Sequence, residues 1–109
     1  MPNAETATAT DSKFTMYLFG GNKQKGLDKG KGITSRLGYD ISNWQEFRNE
    51  ILKSAIKNPS VYQYTHAHGD RYEQQMILQG LNQKPANILV GWNVDKNETH
   101  LTTVYLREI

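Results

Sequence analysis

Past residue 42 the spacing of apolar residues along the chain changes character once, and the change separates a helix from a sheet. Trp44, Phe47, Ile51, Leu52, Ala55 and Ile56 recur at helical spacing, while Glu46, Asn49, Glu50, Lys53 and Lys57 fall mostly away from them. The pattern predicts an amphipathic helix over 43–57. Ser42 and Gln45 have the spacing of a capping box at its start. Asn58-Pro59 ends it, because a residue before proline disfavours the α region. Beyond Pro59 the period is two. Four strands are predicted, over 61–68, 71–79, 87–94 and 99–106. Gly69-Asp70 reads as a tight hairpin, 80–85 as a longer turn and 95–98 as a polar turn. No gap has room for a crossover helix, so successive strands should pair antiparallel as a meander. Ile88, Val90, Trp92 and Val94 form one apolar set, and Val104 with Leu106 extends it on the last strand. Thr103 and Tyr105 then belong to the opposite, open face.

The stretch before the helix is less regular. The apolar run 14–19, closed by Gly20-Gly21, reads as a strand or a buried extended piece. Glycines and lysines make 22–32 read as a loop, followed by one or two helical turns over 32–37 with Gly38 as their stop. Residues 1–12 are small and polar without periodicity and read as a flexible leader or linker remnant. The expected fold is α+β: one domain over 13–109, with amino-terminal helices packed on a four-stranded antiparallel meander.

Composition narrows the chemistry. At 109 residues the chain fits one domain. The net charge of +2 is unevenly placed, because Lys23, Lys25, Lys29, Lys31 and Arg36 crowd one segment against Asp28 alone. A basic, glycine-rich segment suits a polyanion such as RNA, and it also suits a solvated loop. The absence of cysteine excludes disulfides, thiolate zinc sites and thiol catalysis. Gly30-Lys31 is followed by Gly32 rather than Ser or Thr, so the segment is no P-loop. No apolar run approaches the ~20 residues of a membrane helix, and no charged-then-apolar signal pattern opens the chain.

Candidate functional side chains gather in the sheet. Strict alternation places Tyr62, Tyr64, His66 and His68 on one face. Tyrosines stack on unpaired bases, and imidazoles move protons near neutrality. Arg71 lies just across the predicted turn, and its guanidinium can grip two phosphate oxygens. Lys31 offers a further cation, Thr103 and Tyr105 offer hydroxyls, and Lys25 and Lys29 offer backbone contacts to RNA. Each has a plainer alternative. The tyrosines and Thr103 are also good strand formers, and lone histidines, lysines and arginines are common on surfaces. The pair His66 and His68 has the spacing for a metal, but no clustered acid supplies a third ligand. Trp92 reads as core.

Three stretches carry a family resemblance: Gly30-Lys31-Gly32-Ile33 running to Leu37-Gly38-Tyr39, then Asn43-Trp44-Gln45-Glu46-Phe47, then Leu101-Thr102-Thr103-Val104-Tyr105. With Gly69-x-Arg71-Tyr72 and Gly91-Trp92, they resemble small toxin domains at the carboxyl ends of bacterial polymorphic toxins, contact-dependent growth inhibition toxins among them. The architecture is similar to the barnase/EndoU/colicin/RelE group of metal-independent ribonucleases. The resemblance implies an RNA-cutting domain, often acting on tRNA. It would be delivered as part of a larger secreted or surface effector and would act in the target-cell cytoplasm. It implies a cognate immunity protein, no metal or small-molecule cofactor, and in some tRNA-cutting members elongation factor Tu as a host protein cofactor. Lys31 and Thr103 match family positions, whereas the histidines rest on chemistry alone. In such a reaction the RNA 2′-hydroxyl attacks the adjacent phosphorus, leaving a 2′,3′-cyclic phosphate and a 5′-hydroxyl. His66 and His68 suit the proton transfers, and Lys31, Arg71 and Thr103 suit the phosphate. The alternative is a non-catalytic module that binds RNA or protein through the same basic, aromatic face. An immunity-type or adaptor protein fits the basic segment less well, since an inhibitor of a nuclease is more naturally acidic.

Overall fold

The structure, a computed structural model, describes residues 1–107; Glu108 and Ile109, the end of the expected 13–109 domain, lie outside the described residues. A 3-10 turn (Ala4–Thr6) and a π-helical segment (Phe14–Leu18) precede helices α1 (Gln24–Leu37) and α2 (Trp44–Ala55). Strands β1 (Ser60–His66), β2 (Gly69–Gln79), β3 (Pro85–Asp95) and β4 (Glu98–Leu106) follow. They form one sheet in the order β1-β2-β3-β4, with every neighbouring pair antiparallel. This is the α+β meander that the hydrophobic pattern predicts. No helix among the described residues is long and apolar enough to cross a membrane.

Two amino-terminal expectations are corrected. The run 14–19 is helical rather than extended, and 22–32 is mostly the first half of α1 rather than a loop. The glycines misled because they are there for packing. Gly26 and Gly30 are buried on the same side of α1 as Ile33 and Leu37, at i, i+4, i+7 and i+11. A Cβ on Gly30 would run into the backbone of Leu18, and one on Gly26 would come within 2.7 Å of the Tyr17 ring. Each glycine costs about 1 kcal/mol of helix propensity. In return the π-helical segment lies directly against α1. Gly38, at φ 85°, stops the helix as expected, its N–H donating to Thr34 O at 2.9 Å.

Helix α2 starts without the predicted capping box. Asp40 takes the Ser42 side chain and N–H instead, and Asn43 Oδ1 accepts from Asp40 N–H at 2.7 Å. The helix ends at Ala55, so Ile56 is exposed rather than on the apolar side. Phe47, Ile51 and Ala55 face the sheet. Phe14 stacks on Trp44, and Tyr39 stacks on Phe47, over Met76, Leu78, Ile88, Val90, Trp92, Leu101 and Val104. Fully burying one such aliphatic or phenyl side chain contributes about 1.5–3 kcal/mol. Burial, then Glu50 and Glu46, push the Tyr39 hydroxyl above its ordinary pKa. Gln74 is the polar member of this layer and is fully bonded. Its Oε1 accepts from Trp92 Nε1 at 3.0 Å, and its Nε2 donates to the carbonyls of Ala55 and Asn58 at the end of α2.

The amino-terminal segment read as a linker remnant makes its own contacts with the sheet. Thr8 bridges to His100, the Met1 ammonium donates to Ser60 Oγ at 2.6 Å, and Ala9 joins the core.

Two β-bulges break strict alternation. In β4, Gly91 pairs with Thr103 but Trp92 pairs with Leu101, so Thr102 is the extra residue. Leu101 therefore enters the core with Val104, although alternation had grouped it with Thr103. In β1, Tyr62 pairs with Tyr72 but Tyr64 pairs with Arg71, leaving Gln63 as the extra residue. Tyr62 accordingly sits on the helix side against Tyr72, with ring centroids 5.8 Å apart, while Tyr64 and His66 occupy the other face. The expected single row of Tyr62, Tyr64, His66 and His68 is thus broken after its first member. The first hairpin also turns two residues earlier than predicted. Ala67-His68 form the loop, and Gly69-Asp70 already open β2.

Candidate nucleic-acid interface

The helices cover one face of the sheet, and the other carries the polar candidates. Row by row across β2, β3 and β4 this open face reads Arg71–Asn93–His100, then Glu73–Gly91–Thr103, then Gln75–Leu89–Tyr105. Helix α1 runs past the β4 edge, and one side of it meets this face. Lys25, Asp28, Lys29 and Gly32, at i, i+3, i+4 and i+7, join Arg71, Thr103 and Tyr105 around a cleft of about 650 Å³.

Lys29 is the centre of the cleft. Its Nζ donates to Thr103 Oγ1 at 3.2 Å and to the Tyr17 hydroxyl at 3.4 Å. It also lies 5.5 Å from the ring centres of both Tyr17 and Tyr105. Gly91 lets its neighbours fill the middle of the row. A Cβ there would stand 2.6 Å from Arg71 Nη2 and 2.8 Å from Thr103 Cγ2, so the arginine and threonine close over the glycine. Among the described residues neither Arg71 nor Lys29 forms an ion pair with a carboxylate. Asp28 is bonded to Gln24 at 2.7 Å, and the Glu73 carboxylate has no hydrogen-bond or ion-pair partner among the described residues. Two cations and a hydroxyl aimed at one opening make a site for an anion with several oxygens.

The histidines form a second group beside it. The ring centroids of Tyr64, His66 and His68 follow one another at 5.8 Å. His66 is held at both nitrogens. The His68 N–H donates to Nδ1 at 3.1 Å, so that nitrogen is unprotonated, and the proton on Nε2 faces Asn93 Oδ1 at 2.9 Å. Asn93 is 5% exposed, and its amide orientation follows from Nδ2 donating to the His68 carbonyl at 2.8 Å. No ring nitrogen of His68 has a partner among the described residues. His66 pairs with Gly69, so this group lies one row beyond Arg71, about 7 Å along the strand.

Of the sequence candidates, Lys25, Lys29, Arg71, Thr103 and Tyr105 come together, and Tyr64, His66 and His68 adjoin them. Lys31 does not join either group. It lies two residues, or about 200°, around the helix from Lys29 and lines a separate apolar cleft with Leu18, Phe19, Leu27 and Ile41. Tyr62 is on the opposite face. Sequence reasoning passed over Tyr17, Glu73, Gly91 and Asn93. Helical spacing of Lys25, Lys29 and Gly32 was a readable signal for Lys29, whereas Asn93 and Tyr17 carried none. Among the described residues no three His, Asp or Glu side chains cluster as a metal site.

The fold and cleft define a small α+β domain with a cationic site on an open sheet face. The chain belongs to the DUF6883 family, described as a domain of unknown function, whose model matches residues 1–108. No curated protein matches it. Among solved structures, it is similar to a chain of a contact-dependent growth inhibition toxin–immunity protein complex from Klebsiella pneumoniae 342. That match has a TM-score of 0.71 at 20% identity, covering 91% of this chain and 98% of that one. At this identity the likeness is one of fold.

Proposed function

We propose that this domain is the toxin member of a contact-dependent growth inhibition pair and that it cleaves RNA, with tRNA the favoured substrate. The observation that carries the reading is the meeting of Lys29, Arg71 and Thr103 at one cleft, two cations without an ion-pair partner among the described residues beside a threonine hydroxyl. The fold shared with the Klebsiella complex supports it. The basic cleft favours the toxin side of such a pair over the immunity side, since an inhibitor of a nuclease is more naturally acidic.

In this reading Arg71 and Lys29 hold the non-bridging oxygens of one phosphate and stabilise the charge that grows on them, with Thr103 as a further hydrogen-bonding partner. Lys29 takes the place that the resemblance gave to Lys31. Glu73 and the histidine turn lie on opposite sides of Arg71 along the strands, each one row away. Attack and departure at phosphorus are in line, so the base and the acid belong on opposite sides of it. The Glu73 carboxylate takes the 2′-proton as the O2′–P bond forms. The imidazolium of His68, whose ring is unencumbered, gives a proton to the 5′-oxygen as the P–O5′ bond breaks. His66, bonded at both nitrogens, holds the turn. Tyr64 and Tyr105 offer rings to unpaired bases. A cognate immunity protein would cover this face, and elongation factor Tu would be a host partner if the substrate is tRNA. The domain would reach its target's cytoplasm as part of a larger effector.

The test is incubation with total cellular tRNA, with and without elongation factor Tu, in the presence of EDTA. Cleaved RNA bearing 2′,3′-cyclic phosphate ends is expected. Salt-sensitive binding that leaves the RNA intact under all conditions would point instead to the non-catalytic module.

A further inference from the structure

We propose that a second cleft on the open face is a nucleobase-binding subsite, which selects the base next to the phosphate held by Arg71 and Lys29; this rests on the ribonuclease reading above. The cleft is about 400 Å³ and lies on the β1 side of Glu73, within the size range of small-molecule sites. Glu73 lines both clefts, so the two share a wall. One row of the sheet joins them. Val61 pairs with Glu73, Glu73 with Gly91 and Gly91 with Thr103. With strands spaced about 4.8 Å apart, the second cleft begins where a nucleotide flanking the bound phosphate would place its base.

Its lining suits the two surfaces of a base. Val61 is 63% exposed, and Leu89 closes the floor at 2% exposure even though it lies outside the helix-covered core. These apolar groups offer a flat contact to a ring. The edge of a base needs paired donors and acceptors, and Gln63 and Gln75 supply carboxamides. Gln75 is exposed and has no partner among the described residues. Gln63 Nε2 makes one bond within its own strand, to Val61 O at 3.3 Å, leaving Oε1 open. A carboxamide can bond a base edge at two points, and Arg107 adds guanidinium donors at the rim. The β1 bulge also sets a ring on the same face, outside the cleft's own lining. It leaves Gln63 lining this cleft and Tyr64 opposite Arg71 on the same face. An apolar ligand would leave the two carboxamides unmatched, whereas a base uses both kinds of lining.

The test is kcat/KM on short single-stranded RNAs that differ at one position beside the cleaved bond, with A, C, G, U or an abasic sugar there. The wild-type protein should rank the four bases and cut the abasic RNA about tenfold more slowly than the best of them. Gln75→Ala and Gln63→Ala should bring the four bases to within about twofold of one another while leaving abasic cleavage at the wild-type rate. An unchanged ranking in both variants, or equal wild-type rates on abasic and native RNA, would overturn the subsite and leave the ribonuclease reading standing. If the wild-type protein cuts none of these RNAs, the tRNA test above decides that reading, and equilibrium binding of the same RNAs decides the subsite. A base preference lost in the two variants upholds it, and identical affinities refute it.

Discussion

Val90 and Gly91 are neighbours on β3 and serve opposite purposes. On Val90's side of the sheet every element closes. Gln74 has both ends of its carboxamide bonded, and Trp92 is buried with its N–H satisfied. On Gly91's side the space of a side chain is taken by Arg71 and Thr103, and among the described residues neither Arg71 nor Lys29 is paired with an acid in the cleft they line. Stability accounts for the first face, since buried polar groups must be paired. It does not account for the second, where covering or pairing the charges would serve folding as well or better. Substitutions on the two faces should therefore separate folding from function.

The largest separation is expected between Trp92→Ala and Arg71→Ala. The first removes a buried indole and leaves Gln74 Oε1 without its donor, which should cost about 3–5 kcal/mol in urea denaturation. The second should change stability by no more than about 0.5 kcal/mol while lowering RNA cleavage by about 100- to 1000-fold. A matching loss of stability in Arg71→Ala would break the division between the faces. Gly91→Ala is a finer probe. Its methyl would push on the Arg71 guanidinium and the Thr103 methyl, and a shift of a fraction of an ångström there should slow cleavage about tenfold or more, with thermal melting close to wild type. Asn93→Ala crosses the divide, because a buried amide on the open face holds the histidine turn. It should cost about 1–3 kcal/mol and release His66 Nε2–H, which 15N-resolved imidazole spectra would register as a mixture of tautomers.

The smallest effect lies outside both faces. Ser42 holds the Asp40 carboxylate below its ordinary pKa through its side-chain hydroxyl and its backbone N–H. A carboxylate depressed in the folded state contributes stability above its unfolded pKa and loses it as pH falls through the folded value. Ser42→Ala should raise the Asp40 midpoint in an NMR titration and narrow that window. An unmoved midpoint would mean the hydroxyl does not hold the charge.

What the sequence shows of this molecule follows from the same contrast. The covered face was readable because burial imposes a period: Ile88, Val90 and Trp92 alternate, and Phe47, Ile51 and Ala55 follow the helix. Helix α1 was obscured because Gly26 and Gly30 act as contact surfaces, and glycine carries no hydrophobic signal. The bulges at Gln63 and Thr102 were hidden because one extra residue changes which face a side chain occupies without altering composition. That single step moved Tyr62 away from the histidines and Leu101 into the core. The site was half legible. Thr103 and Tyr105 were placed by alternation and Arg71 by its nearness to the turn, but which lysine lines their cleft, Lys29 rather than Lys31, needed the helix that glycine concealed.

The most direct test of the open face as an RNA-cleaving site is the sequencing of RNA ends after induced expression, comparing the wild-type chain with Lys29→Met and Arg71→Ala. The account predicts discrete new ends in the wild type, with a 2′,3′-cyclic phosphate on one fragment and a 5′-hydroxyl on the other, and their disappearance in both variants at equal protein level. Identical cleavage patterns in all three strains, or intact RNA alongside wild-type growth arrest, would contradict it.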